Sequence, residues 1–232
     1  MPTLSDFPIT HRWPPIRPDV IQLYTLGTPN GLKVSIALEE MGLDYDAHKI
    51  SISGPEEQFT PEFLSLNPNN KIPAMIDPNG PDDAPIGLFE SGAILLYLGD
   101  KTGKFLPTSG AARYHTIQWL MWQMGGVGPM FGQLGYFHHF KGREIEDPRP
   151  RERYAAETRR LLGVLDRQLD GRDWITGGFS IADIATATWV RALEVNYDAL
   201  EETGRNGFRN VMAWYDRFFA RPAVQRGLLV PG

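Results

Sequence analysis

The spacing of apolar residues changes character near the middle of the chain. Up to about residue 103 it comes in short runs split by turn residues, and beyond Lys104 it follows a helical period. Val20-Ile21-Gln22-Leu23-Tyr24 is short and β-branched at its start. A loop ending in Pro29-Asn30-Gly31 follows, the pattern of a strand feeding a helix. In that helix Val34, Ala37, Leu38 and Met41 recur at steps of three and four residues, which aligns them on one face, and Gly42 is placed to end it. Tyr45 to Ile52 fits a second strand and Pro61-Glu62-Phe63-Leu64 a brief helix. Ile72 to Asp77 and Ile86 to Leu88 fit a hairpin across Pro78-Asn79-Gly80-Pro81. Ser91 then precedes an apolar helix from Gly92 to Lys101. The order β-α-β-α-β-β-α over residues 20–102 predicts a small sheet with helices packed on its faces.

Past this point strand signals stop. Ala111 to Met124 is helical and rich in Trp and Met, with Gly125-Gly126-Val127-Gly128-Pro129 as an interruption. Pro150 to Leu169 carries Leu161, Leu165 and Leu169 at four-residue steps, as bundle helices do. Ser180-Ile181-Ala182-Asp183 reads as a capping box, flanked by Phe179 and Ile184 as its hydrophobic staple. Residues 1–19 contain Pro2, Pro8, Pro14, Pro15 and Pro18, each lacking an amide donor, and are expected to form an extended arm. The expected organisation is therefore an arm (1–19), a mixed α/β domain (20–103) and an all-helical domain (104–232).

Composition narrows the function. With 42% hydrophobic and 22% charged residues in 232, the chain is globular rather than disordered or collagen-like. No apolar run approaches the ~20 residues that cross a bilayer, and Met1 to Pro18 is polar and proline-rich, unlike an export leader. A cytoplasmic protein without a membrane partner is expected. The net charge of −5 hides an asymmetry: residues 1–103 hold 6 Lys/Arg against 14 Asp/Glu, and residues 104–232 hold 17 against 14. Neither half has the dense basic patch that nucleic-acid binding needs. His138-His139 lacks a further ligand at useful spacing, so no metal is expected. Cysteine is absent, which excludes disulfides, thiolate metal sites and a cysteine nucleophile. Any thiol chemistry must take its thiol from a ligand.

Three short segments carry candidate chemistry. Glu90-Ser91 sets a carboxylate beside a serine at a helix start, which suits the ammonium and carboxylate of an α-amino acid; the alternative is a serine that only caps its helix. Asn69-Asn70-Lys71-Ile72-Pro73 enters a strand through a proline. A cis bond there would turn the Ile72 backbone toward a groove, whereas an ordinary trans proline at an edge strand would not. Thr28-Pro29-Asn30 offers a cap, a first-turn proline and a side-chain donor at a helix N-terminus, where a thiolate would be stabilised. Tyr24 lies within the first strand, where a core aromatic is the simpler role than a catalytic one.

The order of these segments is similar to that in the cytosolic glutathione transferases. The resemblance rests on Thr-Pro-Asn-Gly at 28–31, Gln58-Phe59, Asn-Pro-Asn-Asn-Lys-Ile-Pro-Ala at 67–74, Phe-Glu-Ser-Gly-Ala-Ile at 89–94 and Gly-Phe-Ser-Ile-Ala-Asp-Ile at 178–184. With the segment from Trp119 to Met130, it looks most like the bacterial nu class and the yeast nitrogen-regulator-like proteins. The resemblance implies a thioredoxin-like N-terminal domain followed by a helical bundle, a homodimer, and glutathione, reduced or as the disulfide, as co-substrate. It further implies that Glu90 and Ser91 hold the γ-glutamyl end and that Ile72, before a cis Pro73, pairs with the cysteinyl backbone. Gln58 and Lys71 would face the glycyl end, Thr28 and Asn30 would lie nearest sulfur, and Arg153 would reach toward glutathione. The implied activity is glutathione-dependent reduction of small disulfides. Transfer to electrophiles or peroxides, or a non-catalytic binding module, are the alternatives.

Overall fold

A computed structural model describes residues 3–232. The chain divides into two compact units: residues through Thr102 together with Pro222–Gly232, and Gly103–Arg221.

The first unit opens with a short turn at Leu4–Asp6 and helix α1 (Ile9–Arg12), followed by strand β1 (Ile21–Thr25), helix α2 (Pro29–Met41) and strand β2 (Tyr45–Lys49). Helix α3 (Pro61–Leu66), strands β3 (Ala74–Asp77) and β4 (Ile86–Phe89), and helix α4 (Ser91–Thr102) complete the thioredoxin-like order. The four strands lie in the order β2-β1-β3-β4, with β1 parallel to β2, antiparallel to β3, and β3 antiparallel to β4. Strand β1 is central and buried throughout. β2 ends three residues before Ile52, because the chain turns into the polar loop at Ser53-Gly54-Pro55.

Two expectations are corrected here. Residues 3–19 are not an extended arm. Pro8 stands just before the first turn of α1, where its missing amide is no handicap. Ile9 is fully buried against Tyr24, Ile50, Phe63 and Ile76, with Leu4, Phe7 and Trp13 packed around that cluster. Asp46 then ties the segment to β2, accepting from the Ile16 amide at 2.9 Å and from Arg17 Nε at 2.9 Å. Residues 222–232 are likewise not part of the helical unit: α11 (Pro222–Gly227) packs on α2. A Cβ on Gly227 would stand 2.7 Å from Ile36 Cα, and Ser35 Oγ donates to the Gly227 carbonyl at 2.8 Å. With α4 and α11 both packed on it, α2 buries every residue from Gly31 to Leu38 rather than a single stripe.

In the second unit, α5 (Gly110–Trp122) leads through a π-helical turn (Gln123–Val127) into α6 (Gly128–His138). The glycines therefore widen the helix by one turn instead of interrupting it. Then come α7 (Arg149–Gln168), α8 (Ile181–Val195), the short α9 (Leu200–Thr203) and α10 (Arg209–Phe219). Helix α7 is amphipathic, burying Ala155, Thr158, Leu161, Leu162 and Leu165, whereas α8 is buried almost throughout and forms the unit's centre. At its start Asp183 accepts from the Ser180 amide at 3.0 Å, Ser180 Oγ at 2.9 Å, the Ile175 amide at 3.0 Å and Trp214 Nε1 at 2.8 Å. Burial pushes its carboxyl up to about 6, with those four donors opposing the shift.

Candidate functional site

The first unit gathers most of the candidate residues at one end of its sheet. Thr28 holds extended backbone before α2, and its hydroxyl oxygen accepts from the Gly31 amide at 3.2 Å. That bond leaves the hydroxyl proton for another acceptor. Pro29 fills the first turn, where no amide is required, and Asn30 follows, half-buried. The N-terminus of α2 favours negative charge at this place.

Thr28, Ile52, Gln58, Asn70, Lys71 and Ile72 line a single cleft of about 250 Å³. The loop that carries Lys71 is held by Asn67, whose Oδ1 accepts from the Asn69 amide at 2.9 Å, and the Ile72–Pro73 peptide bond is cis. Gln58 is 7% exposed, and its side-chain oxygen has no partner. A buried carbonyl of this kind needs a donor, and a peptide N–H in the cleft would supply one. The cleft thus fits a short peptide-like ligand.

Glu90 and Ser91 come to the same end of the sheet through register, since Ala74, just after Pro73, pairs with Phe89. Glu90 adopts φ 69°, a left-handed conformation uncommon outside glycine, and its carbonyl accepts from the Ile94 amide at 3.0 Å. Glu90 is therefore the residue that caps α4, and Ser91 is the first residue inside it, not the residue before it. Ser91 is 4% exposed, and Lys33 Nζ donates to its Oγ at 3.3 Å.

Lys33 has no exposed surface, and burial pulls its ammonium down to about 7, with the charge of Glu90 opposing. Sequence reasoning passed over it. The available signal was a lysine directly between Leu32 and Val34 in a stretch, Gly31 to Leu38, that is otherwise apolar or small.

Tyr24 is fully buried, stacked on His48 at 4.7 Å and edge-on to Trp13 at 6.3 Å, and its hydroxyl has no partner. Burial raises its phenol well above the ordinary range, and the ring packs as a core aromatic. Arg153 lies exposed on α7, where it lines a cleft of the helical unit with Met130, Tyr154, Glu157 and Arg160.

Comparison with known proteins gives a consistent picture. The family model for the glutathione S-transferase N-terminal domain matches residues 28–101, and that for the C-terminal domain matches residues 130–222. The chain is 45% identical over 212 residues to the disulfide-bond oxidoreductase YfcG of Escherichia coli, covering 90% of this chain and 95% of that one. A glutathione transferase from Pseudomonas putida, solved with one glutathione disulfide per subunit, superposes with a TM-score of 0.98 at 57% identity over 100% of both chains. One from Burkholderia graminis, solved with two glutathione molecules per subunit, gives 0.96 at 60% identity over 98% of this chain and 95% of that one.

Proposed function

Because the chain belongs to the glutathione transferase family, we propose that it is a glutathione-dependent disulfide-bond reductase. One observation carries this reading: a sequence without cysteine is similar to a protein that binds glutathione disulfide and to an oxidoreductase of disulfide bonds. With no thiol of its own, the protein makes no mixed disulfide to itself, and both reducing thiols come from ligands. One glutathione thiolate attacks a sulfur of the substrate disulfide, forming a mixed disulfide and expelling the other half as a thiolate. A second glutathione thiolate attacks the glutathione sulfur of that product, giving glutathione disulfide and the remaining thiol.

The geometry of the first unit supports the assignment of roles. Thr28 and Asn30 at the N-terminus of α2 stabilise the attacking thiolate by hydrogen bonding and dipole. Gln58 and Lys71 take the glycyl end, Ile72 the cysteinyl backbone, and Glu90 with Ser91 the γ-glutamyl end. The test is turnover of a small symmetric disulfide such as bis(2-hydroxyethyl) disulfide with glutathione. Thr28→Ala and Asn30→Ala should each lower kcat/KM by roughly 10- to 100-fold. Unchanged values in both singles and the double mutant would remove the sulfur assignment. Calorimetric binding of glutathione without any turnover would make the protein a binding module instead.

Arg153 is tested separately. A rise in KM for glutathione on Arg153→Ala gives it a part in ligand binding, and an unchanged KM leaves it a surface cation. A homodimer belongs to the same reading, supported by apolar side chains exposed on the protomer, among them Phe59, Tyr114 and Met121. Sedimentation equilibrium checks it.

A further inference from the structure

We propose that Asn30-Gly31, in the first turn of α2, is a latent site of spontaneous deamidation, and that Thr28 keeps it closed. The effect of the conversion on turnover rests on the assignment of Asn30 to sulfur; the conversion itself does not.

Asparagine followed by glycine is the pair in which this reaction is easiest, because glycine sets no side chain in the way of its own nitrogen. The Gly31 nitrogen gives up its proton and attacks the Asn30 side-chain carbonyl carbon. The bond from that carbon to the amide nitrogen breaks and ammonia leaves with the proton. Water then opens the resulting succinimide at either carbonyl, giving aspartate or isoaspartate. Water is the sole co-reactant. The sequence holds three such pairs: Asn30-Gly31, Asn79-Gly80 and Asn206-Gly207.

At the first pair both residues have a reason to stay. A Cβ on Gly31 would overlap the Leu26 carbonyl oxygen and stand 2.5 Å from Thr25 Oγ1, so only glycine fits against the end of β1. Asn30 is the proposed donor to sulfur, and it is half-buried, within reach of water. A carboxylate in its place would repel the thiolate, and isoaspartate would lengthen the backbone inside the first helical turn.

Thr28 blocks the first step. Its Oγ1 accepts from the Gly31 amide at 3.2 Å, and its carbonyl accepts from the Leu32 amide at 2.9 Å. Attack requires base to remove the Gly31 proton, as amide hydrogen exchange does, and a hydrogen-bonded proton is lost only when the local structure opens. The helical backbone at Asn30, with ψ of about −42°, also turns the nitrogen away from the side-chain carbon. Both obstacles disappear together when the first turn frays, and the cap sets how often that happens. Asn79, in the turn after β3, and Asn206, in the single turn after α9, are exposed and serve as references in the same chain.

The test incubates the whole protein in mildly alkaline buffer, reading conversion at each of the three asparagines by peptide mass spectrometry and exchange of the Gly31 amide by NMR. In the wild type, Asn30 should convert more slowly than Asn79 and Asn206. Thr28→Val keeps the shape and removes the acceptor. It should speed both conversion at Asn30 and exchange at Gly31 by roughly 5- to 30-fold and leave the other two asparagines unchanged. Thr28→Ser keeps the oxygen and should restore both rates. A wild-type Asn30 that converts as fast as the references, acceleration at all three sites, or no acceleration at Asn30 overturns the proposal. Asn30→Asp, made directly, should lower disulfide kcat/KM at least as far as Asn30→Ala. Wild-type turnover in Asn30→Asp would remove the sulfur assignment of Asn30 instead, and the two failures are distinct.

Discussion

Two serines at helix starts, nearly equal in burial, face opposite chemistry. Ser91 on α4 is 4% exposed and has the Lys33 ammonium behind it; Ser180 before α8 is 3% exposed and has the Asp183 carboxylate beside it. The Ser180 oxygen accepts from Thr176 at 3.3 Å and donates to Asp183 at 2.9 Å, so both of its roles are used inside the protein. The Ser91 oxygen accepts from the Lys33 side chain at 3.3 Å. The same residue type near a helix start is thus set beside a carboxylate in one unit and beside a lysine in the other. What differs is the kind of buried ionisable group next to it.

That contrast can be broken most readily at Asp183. Asp183→Ala removes the acceptor of four buried donors, including Trp214 Nε1, and should lower the unfolding free energy by about 3–5 kcal/mol in urea titrations, without changing glutathione affinity in the fraction that folds. A shift below about 1 kcal/mol would mean that the carboxylate does not hold the α8 start together.

The buried lysine should behave in the opposite sense. Its folded value of about 7 lies below the ordinary 10.5, so the burial cost is present in full below pH 7 and is relieved as pH rises from about 7 toward 10.5. Lys33→Met should accordingly raise unliganded stability by about 1–4 kcal/mol at pH 6. The gain should shrink by pH 9. A gain that is constant with pH would show that Lys33 does not titrate in this range.

Smaller effects sharpen the comparison. Ser180→Ala should cost about 1 kcal/mol of stability and nothing in ligand affinity, whereas Ser91→Ala should lower glutathione affinity, as calorimetry would show. Smallest of all, Tyr24→Phe removes a buried hydroxyl that has no partner. Stability should change by less than about 1 kcal/mol and disulfide turnover should persist, as steady-state assays would establish.

Periodicity made the first unit's element order readable, because β1, α2, β3 and α4 each carry a local pattern of apolar spacing. Thr28 and the Ser180–Asp183 box were readable for the same reason: caps are local. What escaped was set by distant partners. Prolines spaced through residues 2–18 suggested an arm, but Ile9 and Trp13 find their burial against Tyr24 and its neighbours on the sheet. The glycines at 125, 126 and 128 suggested a break, yet glycine permits a change of backbone without dictating one, and a π turn carried the helix through. For Lys33 the sequence offered a hint, its apolar and small neighbours from Gly31 to Leu38, but not the cause of its burial. Its burial depends on α4 and α11 packing against α2, and nothing in the spacing of α2 alone reveals them.

The return of α11 to α2 has a consequence for biosynthesis. During translation, the sheet and its helices leave the ribosome long before the segment that covers Ile36 and satisfies the Ser35 hydroxyl. The first unit must therefore wait, with that flank open to water or to chaperones, while more than a hundred further residues are made. A fragment that stops at Thr102 inherits the same exposed flank permanently and should aggregate where the whole chain does not.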